Sequence, residues 1–395
     1  MASRRAWLAG SLSLAATHAF ADMPPLPPGL PAGVADVAEL DALAGKRPLI
    51  RLSYRPPNYE TPLSYFSGPI TPNDAFFVRY HLANIPEIDP LKWRLAISGQ
   101  STLSLGLDEL KAFPPAEIVA VCQCSGNRRG LSNPHAPGVQ WGFGAMGCAR
   151  WKGARLRDVL AKAGVPASAV EVVLDGADGP ALDKTPDFIK SLPVWKAMDE
   201  NALIAYEMNG EPLPHWNGAP ARVVIPGWTA TYWMKHVVDI RLVDKPFDGF
   251  WMKSAYRLPV GLFPSIDRFA SQETAVNTPI TEIMVNSLIT SPADGATLSG
   301  GRFSVEGLAW DGGRGVDRVD VSIDGGATWR LAQLGEDLGR FAFRTWSFRA
   351  EAAPGPLTIL SRASNRAGQS QVAKAIWNPA GYHHNAYNSV AVIIA

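Results

Sequence analysis

Val121-Cys122-Gln123-Cys124-Ser125-Gly126-Asn127-Arg128-Arg129-Gly130 ends an apolar run on a soft thiol, turns through Ser-Gly-Asn and continues into two adjacent arginines. Thiolates favour soft, redox-active metals. Arginine forks grip oxyanions with paired hydrogen bonds. Together they imply a metal centre that handles a small anion. Around this stretch, Leu91–Ile97, Ile118–Val121, Leu203–Met208 and Arg222–Ile225 read as strands on β-branched content and alternation. Leu107–Ala112 and Leu156–Ala163 read as short helices. No βαβ rhythm and no glycine fingerprint follow a strand, so the expected class is α+β and not a doubly wound sheet.

After about Ile280 the pattern changes. Asp317–Asp324 reads DRVDVSID, with Val319, Val321 and Ile323 on one face. Gly325-Gly326 turns the chain and Trp329 begins the return. Phe341 and Phe343, then Trp346 and Phe348, then Leu357 and Ile359 alternate in the same way. Short strands spaced by turns indicate a β-sandwich. His383 and His384 are adjacent and are expected at its surface.

The chain of 395 residues is too long for one core, so two domains are expected. Hydrophobic content of 47% and charged content of 18% describe a globular protein. Ser3–Ala9 holds a twin-arginine pair, a short apolar run follows, and Ala19-Phe20-Ala21 is an A-x-A cleavage signal. Residues 1–21 are thus read as a twin-arginine signal peptide, a route that exports folded, cofactor-loaded proteins to the periplasm. Without those residues the chain carries 35 basic and 36 acidic side chains, which argues against nucleic-acid binding. No later segment is long and apolar enough for a membrane anchor. Residues 22–69 read as an N-terminal arm, whose stretch from Asp22 to about Pro57, rich in proline and polar turns, is expected to wrap the surface. Of the three cysteines, Cys122 and Cys124 share one face of a strand, where a disulfide between them would be strained. One thiol acting as a single metal ligand fits better than a zinc site.

Six collinear motifs carry a resemblance: ITPNDAFFVRYH (Ile70–His81), VCQCSGNRRG, ARWKGARLRDVL (Ala149–Leu160), AYEMNGEPLP (Ala205–Pro214), ARVVIPG (Ala221–Gly227) and IWNPAG (Ile376–Gly381). The sequence resembles the sulfite oxidase family of molybdenum enzymes. The resemblance implies a molybdopterin-binding catalytic domain over 70–278 and an immunoglobulin-like β-sandwich dimerisation domain over 279–395. It implies a molybdenum-molybdopterin cofactor and oxidation of sulfite to sulfate by oxygen-atom transfer. The animal members' haem domain has no counterpart here, which resembles bacterial exported sulfite dehydrogenases. Those are homodimers, or pair with a cytochrome subunit, and pass electrons to a c-type cytochrome.

Residue roles follow from position in each motif. Cys124 stands at the place of the molybdenum ligand. Arg79, His81, Arg129 and Tyr256 match catalytic positions, and Arg79 and His81, two apart, share one face of an extended segment. Arg129 is expected to meet the substrate and Arg128 to make structural hydrogen bonds. Pterin contacts are expected around Phe77, Val78, Arg79, Tyr80 and His81, and at Asp178, Asn217, Arg222, Trp233, Met234 and Lys235. Arg222 and Lys235 suit a phosphate. Asn217 stands where animal members have histidine, and His215, two residues earlier, is its potential substitute. Cys122 and Cys148 are expected as buried core thiols. Other readings keep the fold and change the substrate: plant-type nitrate reductases, sulfoxide-acting relatives, or the molybdenum subunit of a thiosulfate-oxidising complex. The domain layout and export signal weigh against the first, and the C-terminal sandwich against the second. A reading of a different class, a non-catalytic adhesion protein, would be dismissed by one molybdenum per chain.

Overall fold

Pro115–Gln123 and Met146–Arg155 pair antiparallel along their length, with Cys122 opposite Gly147 and Val121 opposite Cys148. They belong to a computed structural model that describes residues 39–180, 182–259, 261 and 277–395. The signal peptide read from residues 1–21, and the arm as far as residue 38, lie outside the described residues. From Val119 to Gln123 every residue is buried, because this part of the strand is covered on both faces. Ala120 and Cys122 pack with Phe76 and Trp151 in the main core. Val119, Val121 and Cys148 pack with Trp310 and Phe343 of the C-terminal unit.

Leu203–Met208 joins the other edge of Met146–Arg155 and carries Glu211–Pro212 and Arg222–Val224 beside it. A second sheet runs in the order Lys190–Pro193, Glu171–Gly176, Val237–Val243, Leu95–Ser98, Thr102–Leu105, with a parallel pairing only between Val237–Val243 and Leu95–Ser98. Leu95–Ser98 starts later than the expected Leu91. Asp89 accepts the Trp93 N–H at 2.9 Å and the Leu91 N–H at 3.0 Å, which makes Pro90 part of a turn. Helix Leu156–Ala163 buries Leu156, Val159, Leu160 and Ala163, one stripe at helical spacing, and stops at Gly164 with φ of 77°. The unit is α+β.

From Glu39 onward the arm is not a surface wrap. Glu39–Asp41, Leu49–Ser53, Asn58–Glu60 and Val78–Arg79 form one antiparallel sheet. Its last strand delivers Arg79 to the site described below. Glu60 is fully buried, and its two carboxylate oxygens accept the N–H groups of Gly142 and Gly144 at 2.7 and 2.8 Å. Burial pushes its pKa up to about 7, against the pull of those N–H groups. The same loop supplies the Ala145 carbonyl that accepts the Cys124 N–H at 2.9 Å. Glu60→Ala is therefore expected to cost about 1–3 kcal/mol for each donor it orphans. Urea unfolding measures this, and an unchanged midpoint would remove Glu60 from the support of the cysteine loop.

The C-terminal unit is mostly β. One sheet holds Asn286–Ser291, Arg302–Trp310, Arg344–Glu351 and Gln333–Leu334. The other holds Thr297–Leu298, Asn388–Ile394, Gly355–Asn365, Val316–Ser322 and Arg330–Leu331. Val305, Val319, Val321, Trp346, Ile359 and Val390 share their core. Two expectations fail here. Phe341 and Phe343 lie in a turn, where the Phe341 carbonyl accepts the Val121 N–H at 2.9 Å and Phe343 packs against Trp310. They seal the seam between units instead of alternating in a strand. His383 and His384 are not surface residues. The first is buried and the second half-buried, because the tail folds inward on an Asn378–Tyr382 turn. Burial drops their pKa values to about 3 and about 4. Among the described residues no helix is long and apolar enough to cross a membrane.

Candidate active site

Cys124 lies just past the end of Pro115–Gln123, on the face it shares with Cys122. Both thiols line one cleft, which is open at its mouth. Arg79 and His81 reach the same cleft from the end of Val78–Arg79. Phe77, Tyr80, Asp178, Asn217, Arg222, Trp233, Met234, Lys235 and Tyr256 complete the wall together with residues that no motif marked. Tyr256 and His236 hold left-handed backbone conformations, φ of 58° and 50°. These are uncommon for such side chains and concentrate at functional sites.

The cleft gathers positive charge. Arg222 is buried, stacked 5.2 Å from the Trp151 ring and 5.7 Å from Trp233, with its Nη atoms donating to the carbonyls of Asn217 and Trp233 at 3.0 and 2.9 Å. Its Nε has no hydrogen-bond partner. Lys235 Nζ lies over the Tyr80 ring, 2.9 Å from its centroid, and reaches the Trp216 carbonyl only at 3.4 Å. Burial, then the charges of Arg222 and Arg79, hold the Lys235 pKa well below its usual value, with Asp178 pulling the other way. Asp178 is the acid lining the cleft, and burial raises its pKa to about 6. Three cations facing one carboxylate, one of them with an orphaned N–H, fit an anionic ligand. The residues therefore suit a phosphate-bearing, thiol-ligated cofactor. Among the described residues no three His, Cys, Asp or Glu side chains are grouped to hold a metal, so Cys124 would act as a lone protein ligand. The Cys122 thiol, 3.9 Å from Arg222 Nη2, is pushed by burial up to about 11 and stays protonated.

Elsewhere in the cleft, His81 Nε2 and the Tyr256 hydroxyl are hydrogen-bonded. Burial raises the Tyr256 pKa, and burial with neighbouring cations holds His81 well below its usual value. The pair is thus a neutral phenol against a neutral imidazole. His236 sits behind Tyr80. Its Nδ1–H donates to the Ala219 carbonyl at 2.6 Å and its Nε2 accepts the Tyr80 hydroxyl at 2.7 Å. Burial drops its pKa to about 3, so the imidazole charges only on unfolding in mild acid. Its contribution to stability is complete above the unfolded value of about 6.5 and declines as pH falls toward 3, by roughly 1.4 kcal/mol per pH unit. His236→Gln is expected to flatten the acid side of the stability curve; a curve parallel to the parent's would contradict this.

Two expected site residues stand elsewhere. The Val78 side chain packs with Leu49 and Tyr59, because strand alternation turns it away from the face of Phe77 and Arg79. Arg129 does not line the cleft: its Nε and Nη1 donate to the carbonyls of Ala380 and Val139 at 2.8 and 3.1 Å. Its charge still reaches Tyr256, whose pKa it pulls down. Asn217 lines the cleft, but its side-chain oxygen accepts Lys46 Nζ at 2.8 Å. His215 is exposed and does not line the cleft. Arg128 is structural, as read, donating to Asn286 Oδ1 and the Ser287 carbonyl at 2.8 and 2.7 Å. The residues missed are Phe188, stacked 3.5 Å from the His81 ring, Lys190, 5.2 Å from the Tyr256 ring, and Tyr382. Phe188 and Lys190 come from a segment without local signature, and Tyr382 stands one residue past the Ile376–Gly381 motif, which did not include it.

Residues 81–251 match the family described as the oxidoreductase molybdopterin binding domain, and residues 277–395 match the Mo-co oxidoreductase dimerisation domain. Sulfite oxidase of Gallus gallus is 36% identical over 371 residues, covering 88% of this chain and 79% of that protein. The chain belongs to the sulfite oxidase family. Mitochondrial sulfite oxidase of Macaca fascicularis is 38% identical over 362 residues, or 87% of this chain and 65% of that protein. This sulfite oxidase family member thus spans just under two thirds of the length of that relative. Among solved structures, the sulfane dehydrogenase SoxCD from Paracoccus pantotrophus aligns with a TM-score of 0.74 and 26% identity, over 92% of this chain and 90% of that one.

Proposed function

We propose that the chain oxidises sulfite to sulfate in the periplasm, after twin-arginine export, and passes the electrons singly to a c-type cytochrome. The observation that carries this reading is one cleft in which the Cys124 thiol, Arg79, Arg222 and Lys235 converge with a single carboxylate. When bound, the molybdenum cofactor would supply two-electron oxygen-atom-transfer chemistry at its metal, beside Cys124. Cys124 would hold the metal, and Arg222, Lys235 and Asp178 the pterin and its phosphate. Arg79 draws the sulfite anion in and offsets its charge. Tyr256 keeps its proton on the phenol oxygen and offers it to the anion or to His81 Nε2, which is neutral and can accept it. Phe188 and Trp251 pack on His81, 3.5 and 5.2 Å from its ring, and exclude water from that side. We read the C-terminal unit as an immunoglobulin-like sandwich that pairs two copies.

Steady-state oxidation of sulfite by molybdenum-loaded protein, with ferricyanide or cytochrome c as acceptor, tests the reading. Full molybdenum loading without sulfite turnover would reject it. The second reading, the molybdenum subunit of a thiosulfate-oxidising complex, is favoured by the likeness to the sulfane dehydrogenase. It predicts turnover of a sulfane-sulfur substrate in place of sulfite.

A further inference from the structure

The motif Ile376–Gly381 belongs to the C-terminal unit, yet its end is built onto Arg129. Ala380 supplies the carbonyl that accepts Arg129 Nε–H at 2.8 Å. Gly381, with φ of +62°, lies so close that a Cβ there would fall 2.7 Å from Arg129 Cγ. On the guanidinium itself, a Cβ at Gly126 or Gly138 would sit within 2.6 or 2.9 Å. Three glycines thus make a slot that no larger residue would leave open. Tyr382 closes it. Its ring centroid is 5.3 Å from the Arg129 guanidinium carbon and 5.5 Å from the Tyr256 ring, tilted 14° from parallel. Asn378 locks the turn: its side-chain N–H donates to the Tyr382 carbonyl at 2.7 Å and its side-chain oxygen accepts the Tyr382 N–H at 3.0 Å. Tyr382 is 8% exposed.

We propose that Tyr382 is a positioning residue of the active site, lent by the C-terminal unit, whose ring holds the Tyr256 phenol in the cleft and the Arg129 guanidinium just outside it, where its charge bears on a sulfur oxyanion. This rests on the sulfite reading above. The two carbonyls on Arg129 set its direction in the plane, and the ring sets its tilt. All three partners are neutral, so they leave the arginine's charge undiminished for an anion. Without the ring, a void opens beside both groups. Small displacements of such groups cost substrate binding out of proportion to their size.

The test compares molybdenum-loaded variants by sulfate affinity in isothermal titration and by steady-state sulfite kinetics. Tyr382→Ala is expected to raise Kd for sulfate and KM for sulfite about tenfold, with kcat changed less and molybdenum content unchanged. Tyr382→Phe keeps the ring and is expected to stay within about threefold. Gly381→Ala, which presses on Arg129, should shift KM in the same direction as Tyr382→Ala. In an Arg129→Gln background, Tyr382→Ala should add less than it does in the parent, because only its hold on Tyr256 is left to lose. Parental KM and Kd in Tyr382→Ala would overturn the proposal. So would additive effects with Arg129→Gln, or a phenylalanine variant as impaired as the alanine one. Should Tyr382→Ala not fold, Gly381→Ala with a parental KM overturns it. Should the parent protein neither oxidise sulfite nor bind sulfate, the sulfite reading fails by itself. The thermal midpoints of Tyr382→Ala, Arg129→Gln and the double variant then decide the clamp: non-additive midpoints support it and additive ones overturn it.

Discussion

Cys124→Ser is expected to fold like the parent chain and to lose more than about 100-fold of its sulfite oxidation, beyond the 10–100-fold that loss of an outer partner costs a metal site. The substitution changes one atom. Cys124 is 8% exposed and is held through its backbone N–H on Ala145, which serine can reproduce. What serine cannot reproduce is a soft, polarisable donor toward a soft metal. Loss should therefore show in molybdenum content and turnover, while the thermal midpoint moves little. Cys122→Ser is the internal control. That thiol lines the same cleft, but burial keeps it protonated, so molybdenum content should hold. Near-normal sulfite turnover in Cys124→Ser would count against the ligand assignment and the function that rests on it.

Lys235→Met is expected to act in opposite directions on the empty and the loaded protein. In the cofactor-free chain, Lys235 is a desolvated cation beside Arg222 and Arg79, relieved only by Asp178. Its depressed pKa means that the unfolded chain binds this proton more readily, so the penalty is larger at neutral than at alkaline pH and fades as pH rises toward the usual lysine value. Removing the charge should raise the cofactor-free melting point by a few degrees at about pH 7 and by less at about pH 9. In the loaded protein the same ammonium would make a charge-assisted hydrogen bond to the cofactor. Its loss should weaken cofactor retention about 10–100-fold. Melting curves at both pH values and molybdenum content after dialysis measure the two effects. A Lys235→Met chain that melts lower when empty and keeps its cofactor would contradict the electrostatic account of the cleft.

Much of the site is legible in the chain because its geometry is local. Cys122 and Cys124 share a face because side chains alternate along a strand, and both do line the cleft. The same period brings Arg79 and His81 together and sends Val78 away. Helix Leu156–Ala163 follows from one apolar stripe and a glycine stop, and has the bounds its pattern predicts. The strand through Cys122 is longer than its alternation predicts, because burial on both faces erases the polar half of the pattern. Phe341 and Phe343 alternate by residue type and still form a turn, since their task is to seal two units together.

Phe188, Lys190 and Tyr382 were not legible, for a shared reason. A buried phenylalanine, lysine or tyrosine carries no mark of what it will face. Phe188 meets His81 across 107 positions, and Tyr382 meets Arg129 across 253. The amino-acid order by itself determined the donors: one thiol at a strand end, paired arginines after a tight turn, and the alternation that sorts them by face. Only the folded chain decided their electrostatics. Charge repulsion, desolvation and the fate of Arg129 depend on which cations are enclosed together and which carbonyls and rings surround them, and those are properties of a closed volume, not of neighbours along a chain.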